Sequence, residues 1–121
     1  MTILVVDDQP AIRDVLTEIL TDEGYPVVAA TNGLEAITHL HESAELPHLT
    51  LLDLRMPVMS GWEFLREVRQ DPALASIPVV VMTAGTTLEH DLLNAGATAY
   101  ILKPIDINSF LRTVQQYHPR P

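Results

Sequence analysis

The stretch Leu49-Thr50-Leu51-Leu52-Asp53-Leu54-Arg55-Met56-Pro57 decides the fold of this chain. Its leucines are too apolar for a half-exposed strand, so they predict a buried parallel strand that ends at Asp53. Because a residue before proline avoids the α region, Met56 is expected in an extended or turn conformation. The carboxyl ends of such strands are where open α/β sheets bind ligands. Asp53 is therefore a candidate functional carboxylate, although by itself it could equally be a turn residue.

The composition bounds the class of protein. A chain of 121 residues predicts one domain, spanning residues 1–121, with room for its own core. The absence of cysteine excludes disulfides and thiolate metal sites. No apolar run reaches the roughly 20 residues of a membrane span, and the start does not resemble a signal peptide, so a cytoplasmic location is expected. A net charge of −9 without a basic patch argues against nucleic acid and anionic membranes as partners.

Apolar runs of strand length alternate with helical patterns five times. The predicted strands are Ile3–Val6, Pro26–Ala30, Leu49–Asp53, Ile77–Met82 and Ala99–Leu102. The helical patterns begin at Pro10, after a turn at Asn32-Gly33, at Ser60, at Thr86 and at Ile107. Strict alternation predicts an α/β doubly wound fold, with a parallel sheet, helices on both faces and right-handed crossovers.

The helices carry recognisable ends and apolar faces. Capping boxes are predicted at Ser60–Glu63 and Thr86–Glu89, and Gly24 and Gly96 are expected to end the first and fourth helices. The residues expected to face inward on these two helices are Ile12, Val15, Leu16, Ile19 and Leu20, and Leu88, Leu92 and Leu93. The tail at residues 118–121 is expected to be loose.

Polar residues stand at the carboxyl ends of four predicted strands. Asp7 and Asp8 follow the first strand, Asp53 ends the third, Thr83 follows the fourth and Lys103 follows the fifth. In a parallel sheet these ends share one edge, where three crowded carboxylates require a cation. Oxygen ligands alone favour a hard ion such as Mg²⁺. A hydroxyl and an ammonium beside that ion suit the oxygens of a phosphoryl group.

The sequence resembles the receiver domain of two-component response regulators over nearly its whole length. The features that carry the resemblance are Asp7-Asp8, Asp53, Met56-Pro57-Val58-Met59-Ser60-Gly61, Thr83-Ala84, and Lys103-Pro104 with Tyr100 three residues earlier. The resemblance implies a flavodoxin-like (βα)5 fold with the strand order 2-1-3-4-5.

The resemblance also implies a role for each residue of the acidic edge. Asp53 would be the phosphoacceptor, taking a phosphoryl group from a phosphohistidine or a small phosphodonor. Asp8, Asp53 and the backbone carbonyl of Arg55 would bind Mg²⁺ directly, and Asp7 mainly through water; Mn²⁺ could substitute. Lys103 would pair with the phosphoryl oxygens.

The implied output is a conformational switch. Thr83 would be the switch hydroxyl, Tyr100 the aromatic that moves with it, and the bond before Pro104 would be cis. The donor would be a histidine kinase or phosphotransfer protein. The affected surface would be the fourth helix, fifth strand and fifth helix, which would control a protein partner or an output domain. Compared with the family, the segment from Thr83 to Gly96 is shorter by about half a helical turn, which leaves the output mechanism open.

Each candidate also has a purely structural interpretation. Asp7-Asp8 could be acids favoured at a helix N-terminus, Lys103 a solvated charge, Thr83 a turn hydroxyl and Tyr100 static packing. Trp62 is interpreted as packing. The arginines at positions 66, 69, 112 and 120 are scattered, and the five histidines lack metal-ligand spacing.

Two other classes of function remain. One is a receiver-like interaction module that needs no phosphorylation. Such modules usually lack one of the acidic residues of the site, whereas this chain has all of them. The other is a Mg²⁺-dependent phosphohydrolase working through an aspartyl phosphate. Such enzymes usually carry a second aspartate two residues after the nucleophile, where this chain has Arg55, so a turnover enzyme is not expected. The sequence is equally consistent with a stand-alone regulator and with a receiver from a longer protein.

Overall fold

Strands and helices alternate strictly along the chain. In order they are β1 (Ile3–Val6), α1 (Pro10–Asp22), β2 (Val27–Ala30), α2 (Gly33–Glu42), β3 (Leu49–Asp53), α3 (Gly61–Gln70), β4 (Val79–Thr83), α4 (Glu89–Asn94), β5 (Ala99–Leu102) and α5 (Ile107–Tyr117). The computed structural model describes residues 2–56, 58–85 and 89–117. Three predictions fall on residues outside these ranges. They concern Pro57, the capping box at Thr86 with the inward Leu88, and the tail at residues 118–121.

All five strands pair in parallel, in the order β2-β1-β3-β4-β5. The doubly wound α/β fold and its strand order are therefore as predicted. The register pairs Val6 with Leu52 and Thr83 with Leu102, so the strands end together at one edge of the sheet. The chain reverses its direction of winding between β1 and β3, which is where this class of sheet opens a crevice.

The core has two layers, one on each face of the sheet. On one face Leu4, Val6 and Leu52 pack with buried residues of α2 and α3, including Phe64 and Leu65. On the other face Ile3, Val5 and Leu51 pack with buried residues of α1 and α5, including Leu20 and Phe110. Burial on both faces explains why the central strands β1, β3 and β4 are mainly apolar rather than alternating, whereas the edge strands β2 and β5 are partly exposed.

Two inward-facing residues were predicted wrongly. Val15 on α1 is 53 % exposed and Leu93 on α4 is 47 % exposed, whereas their neighbours Leu16 and Leu92 are buried. Consecutive residues point about 100° apart around an α-helix, and the buried faces of α1 and α4 include Leu16 and Leu92 but not the residue next to each. Within the described ranges, no helix has both the length and the apolar sequence needed to cross a membrane.

Two strands differ in extent from the prediction. β2 begins at Val27 rather than Pro26, and β4 spans Val79–Thr83 rather than Ile77–Met82. Proline lacks the N–H that a ladder requires, so Pro26 and Pro78 precede their strands. At the other end Thr83 pairs with Leu102 and extends β4 by one residue into the functional edge.

The pair Asn32-Gly33 begins a helix instead of forming the predicted turn. Asn32 is the N-cap of α2, and its side-chain oxygen accepts the N–H of Glu35 at 2.8 Å. Gly33 is the first helical residue, and a Cβ there would lie 2.8 Å from the side chain of Met59. Glycine is required because the β3–α3 connection passes this close, and not because of a special φ angle.

Arg69 on α3 is half-buried and binds main-chain carbonyls. Its guanidinium donates to the carbonyls of Gly96, Ala75 and Ile77 at 2.8–2.9 Å. Burial lowers the pKa of Arg69 from its ordinary value. One side chain of α3 therefore ties together the α3–β4 and α4–β5 connections, a long-range contact that no local pattern predicts.

Candidate functional site

Three carboxylates converge where β1 and β3 end. Among the described residues, Asp7, Asp8 and Asp53 each offer a carboxylate oxygen, and these oxygens lie within 4.8 Å of one another. Asp7 and Asp53 are buried and Asp8 is half-buried. Because β1 and β3 are adjacent and in register, residues 45 positions apart meet without any local signal. Like charges at this separation disfavour one another and favour a bound cation.

Asp7 lies deepest in the cluster. Its Oδ1 accepts the N–H of Gln9 at 2.9 Å, whereas Oδ2 is buried with no hydrogen-bond partner among the described residues. Burial raises the pKa of Asp7 above its ordinary value, the Gln9 N–H lowers it, and the charge of Asp53 raises it again. An unpaired buried carboxylate oxygen is costly unless something binds it. The all-oxygen donor set suits Mg²⁺ or a similar hard cation.

Asp53 is engaged from one side only. Its Oδ1 accepts Nζ of Lys103 at 3.3 Å and the N–H of Arg55 at 3.4 Å. Both bonds are to the same oxygen, so Oδ2 is not engaged by the hydrogen bonds of the described residues. The ammonium offsets part of the negative charge of the cluster. A carboxylate held at one oxygen, with the other available, is suitably placed to act as a ligand or as a nucleophile.

The ends of β4 and β5 supply the hydroxyl and the ammonium. Thr83 is buried, and its Oγ1 accepts the N–H of Gly85 at 3.3 Å. The N–H of Lys103 donates to the carbonyl of Thr83 at 2.8 Å, which continues the β4–β5 ladder into the site. The Lys103–Pro104 peptide bond is cis. Thr83 and Lys103 are thus joined through their main chains as well as by the pocket they share.

Five of the predicted residues line one cavity of about 740 Å³. Its wall includes Asp8, Asp53, Arg55, Thr83 and Lys103, and Asp7 lies buried beside it. Two predicted residues are elsewhere. Tyr100 is half-buried on β5 and lines a groove with Leu102 and Ser109, and Pro104 lines an apolar cleft.

Helix α3 begins directly against the phosphoacceptor candidate. The N–H of Gly61 donates to the carbonyl of Leu54 at 3.0 Å, and a Cβ on Gly61 would lie 2.8 Å from the carbonyl oxygen of Asp53. This close approach puts Trp62, which is 37 % exposed, in the cavity wall. Trp62 was interpreted as core or half-exposed packing, and its partial exposure agrees with the second of these, but its place in the cavity wall was not predicted. The sequence signal for this position was the capped helix start at Ser60-Gly61. The structure shows both hydrogen bonds of the capping box between Ser60 and Glu63.

An apolar cleft of about 320 Å³ adjoins the acidic cavity. It lies between α1 and the start of α5, with Ile12, Ile19 and Ile105 in its wall. Lys103 lines both the cleft and the acidic cavity. The exposed Val15 and Ile107 stand at the same cleft, so the apolar surface of α1 that failed to reach the core is continuous with the functional edge.

The chain is similar to known proteins over nearly its whole length. Residues 3–115 match the family described as response regulator receiver domain. The chain is 37 % identical over 119 residues to the sporulation initiation phosphotransferase F of Bacillus subtilis, covering 97 % of this chain and 93 % of that protein. The chemotaxis response regulator CheY4 of Vibrio cholerae is 30 % identical with a TM-score of 0.87, covering 96 % and 97 % of the two chains. The response regulator TrrA of Thermotoga maritima, solved in complex with Mg²⁺ and BeF, is 33 % identical with a TM-score of 0.84, again covering 96 % and 97 %.

Proposed function

The chain belongs to the response regulator receiver domain family, and from this premise we propose that Asp53 accepts a phosphoryl group from a phosphohistidine donor. Receiver domains are signalling domains that take phosphoryl groups from histidine kinases and are generally not turnover enzymes. The observation that carries the proposal is the meeting of Asp7, Asp8 and Asp53 within 4.8 Å, with Lys103 Nζ 3.3 Å from Asp53. Residues 1–121 would form this one domain.

The proposed transfer is a single displacement at phosphorus. A carboxylate oxygen of Asp53 forms a bond to phosphorus as the bond from phosphorus to the donor's imidazole nitrogen breaks. The departing nitrogen keeps the electron pair, and Asp53 becomes an acyl phosphate. Lys103, already beside Oδ1, would pair with the phosphoryl oxygens, whose charge must be offset for an anion to approach three carboxylates.

The residues present fit the cation that such chemistry requires. The buried, unpaired Oδ2 of Asp7 and the oxygens of Asp8 and Asp53 form an all-oxygen donor set. Asp8, Asp53 and the carbonyl of Arg55 would hold Mg²⁺ directly and Asp7 through water, with Mn²⁺ as a substitute. When bound, the ion neutralises the carboxylates and the transferring phosphoryl group.

The switch would pass from the acyl phosphate to the face formed by α4, β5 and α5. Thr83 Oγ1 is held by the N–H of Gly85, a bond it would exchange for one to a phosphoryl oxygen. Tyr100 would move with it, since it lies half-buried on β5, the strand paired with β4. Leu93 and Leu102 are about half exposed on this face and offer apolar surface for a partner or an output domain.

The apolar cleft beside Lys103 is the proposed docking site of the donor. A phosphohistidine must enter a cavity whose wall contains Lys103, and the cleft shares that wall. Val15 and Ile107 are each just over half exposed there. An apolar helix face of a phosphotransfer protein would cover these side chains.

A cytoplasmic location of this protein stays a prediction.

Neither alternative function gains support from the geometry. A module that works without phosphorylation would not need the complete acidic set that meets here. A phosphohydrolase would place a general acid where Arg55 stands, and an arginine side chain does not serve as one at neutral pH.

The test is intact-mass measurement after incubation with acetyl phosphate, with and without Mg²⁺. We expect a single phosphoryl gain in the wild type that requires Mg²⁺ and disappears in Asp53→Asn. Asp14→Asn, an exposed carboxylate on α1, is the matched control and should behave as the wild type. Phosphoryl gain in Asp53→Asn at the wild-type rate would refute the assignment, and multiple turnover without an accumulating adduct would favour the phosphohydrolase.

A further inference from the structure

Arg13 makes a contact with the acidic site that no sequence motif predicts. It lies half-buried in the first turns of α1, and its Nη1 donates to the main-chain carbonyl of Asp7 at 2.9 Å. Its own N–H donates to the carbonyl of Gln9 at 3.0 Å, which begins the helix. The side chain therefore folds back from α1 over the β1–α1 connection, which carries Asp7 and Asp8.

The carbonyl that Arg13 binds belongs to the peptide group joining Asp7 to Asp8. On its other side Asp7 is held by its N–H, which donates to the carbonyl of Ala30 at 3.1 Å. The side-chain Oδ1 accepts the N–H of Gln9 at 2.9 Å. Every polar atom of Asp7 thus has a partner except Oδ2, the oxygen that faces no donor of the described residues. Arg13 therefore holds the peptide group between the two acids, and the N–H of Gln9 holds the carboxylate that presents Oδ2.

The charge of Arg13 is placed where it does not compete for the carboxylates. None of the ion pairs among the described residues includes Arg13. A guanidinium bound to one of the three carboxylates would occupy a ligand oxygen, whereas a guanidinium bound to a carbonyl occupies none of their oxygens. We propose that Arg13 is a positioning residue of the metal site, which orients Asp7 and Asp8 for a divalent cation through their shared peptide group. The inference rests on the proposed function.

The sign of one measurement separates positioning from simple electrostatics. If Arg13 acted only by its positive charge, removing it would strengthen the binding of a cation nearby. If it acts by orienting Asp7 and Asp8, removing it weakens binding, as loss of groups that orient metal ligands generally does. The two explanations therefore predict opposite changes in the Mg²⁺ dissociation constant.

The experiment compares Arg13→Met, which removes the charge and the donors, with Arg13→Lys, which keeps the charge but loses the planar fork. Arg112→Met, in the exposed Arg112 on α5, is the matched control. Mg²⁺ is titrated while the fluorescence of Trp62 is followed, since Trp62 is the only tryptophan and lines the cavity. The Mg²⁺-dependent rise in melting temperature gives a second reading, and the free energy of unfolding is measured in EDTA.

We expect Arg13→Met to raise the Mg²⁺ dissociation constant about tenfold, Arg13→Lys to raise it less, and Arg112→Met to leave it unchanged. A lower dissociation constant for Arg13→Met, or an unchanged one with reduced stability in EDTA, would overturn the inference. If Arg13→Met does not fold, Arg13→Lys provides the test. Wild-type Mg²⁺ affinity in Arg13→Lys would also overturn the inference. Failure of the proposed function would look different, because Asp8→Asn and Asp53→Asn would then leave wild-type Mg²⁺ binding unaltered.

Discussion

The ammonium of Lys103 lies 3.3 Å from Oδ1 of Asp53, although the two residues are 50 positions apart in the chain. Lys103 is the only lysine in the sequence, and it stands where β5 ends beside the end of β4. The pair has two opposite consequences. Before transfer the ammonium would compete with a cation for Asp53, and during transfer it would offset the charge of the phosphoryl oxygens.

Lys103→Met should separate these two consequences. We expect Mg²⁺ to bind a few-fold more tightly, because a partly exposed positive charge worth about 1 kcal/mol or less has been removed. We expect the rate of phosphoryl gain from acetyl phosphate to fall by about 100-fold, since one transition-state donor is lost. Both are measured on the same preparation, by fluorescence titration and intact mass. Lys103→Arg is the control for charge, and a wild-type rate in Lys103→Met would contradict the role.

Arg55 is expected to control the lifetime of the acyl phosphate. Its side chain is exposed at the wall of the cavity, two residues after Asp53. We expect Arg55→Ala to shorten the phosphoryl half-life by about threefold, because a side chain that hinders the attacking water is lost and such shielding is worth under about 1 kcal/mol. The half-life is measured by intact mass after removal of donor. Arg66→Ala on α3 is the control, and an unchanged half-life in Arg55→Ala would retire the hypothesis.

Asp7→Asn should stabilise the metal-free protein at neutral pH. Burial raises the pKa of Asp7 in the folded state, so the folded protein holds this proton at a pH where the unfolded chain has lost it. The wild type therefore loses stability as the pH rises from about 4, the pKa of an unfolded aspartate, through the folded-state pKa. Asparagine does not titrate. The free energy of unfolding of Asp7→Asn should therefore increasingly exceed that of the wild type as the pH rises between these two pKa values, and the difference should stay constant above them.

The measurement for Asp7 is the free energy of unfolding in EDTA from pH 3.5 to 8, by urea denaturation. Asp14→Asn, which replaces an exposed carboxylate on α1, should show no such rise. Addition of Mg²⁺ should reduce the advantage of Asp7→Asn, since only the wild type gains a full set of ligands. A stability difference that does not depend on pH would contradict the assignment of the cost to the buried charge.

Thr50 provides a test of packing away from the site. Its hydroxyl is buried within β3 and has no hydrogen-bond partner among the described residues. We expect Thr50→Val, which keeps the shape, to raise the free energy of unfolding by about 1 kcal/mol. Thr98→Val is the matched comparison and should lower it by a similar amount, because Thr98 Oγ1 accepts the N–H of Val79 at 3.0 Å. Urea denaturation of both variants decides, and a loss of stability in Thr50→Val would contradict the expectation.

The sequence by itself determined the order of the elements and the residues that end the strands. Predominantly apolar runs such as Leu49–Asp53 are typical of strands buried on both faces, and their alternation with helices predicts a parallel sheet. Parallel strands share one carboxyl edge, so Asp7, Asp8, Asp53, Thr83 and Lys103 were predictable as neighbours from topology alone.

Only the tertiary structure decided how those neighbours are supported. The bond from Arg13 to the carbonyl of Asp7, the three bonds of Arg69 and the approach of Gly61 to Asp53 join segments whose distance apart depends on how helices pack on the sheet. The same packing decided that Val15 and Leu93 face outward. Helical periodicity gives the direction of a side chain only to within about 100°, and the choice between two adjacent apolar residues is made by the surface that the helix meets.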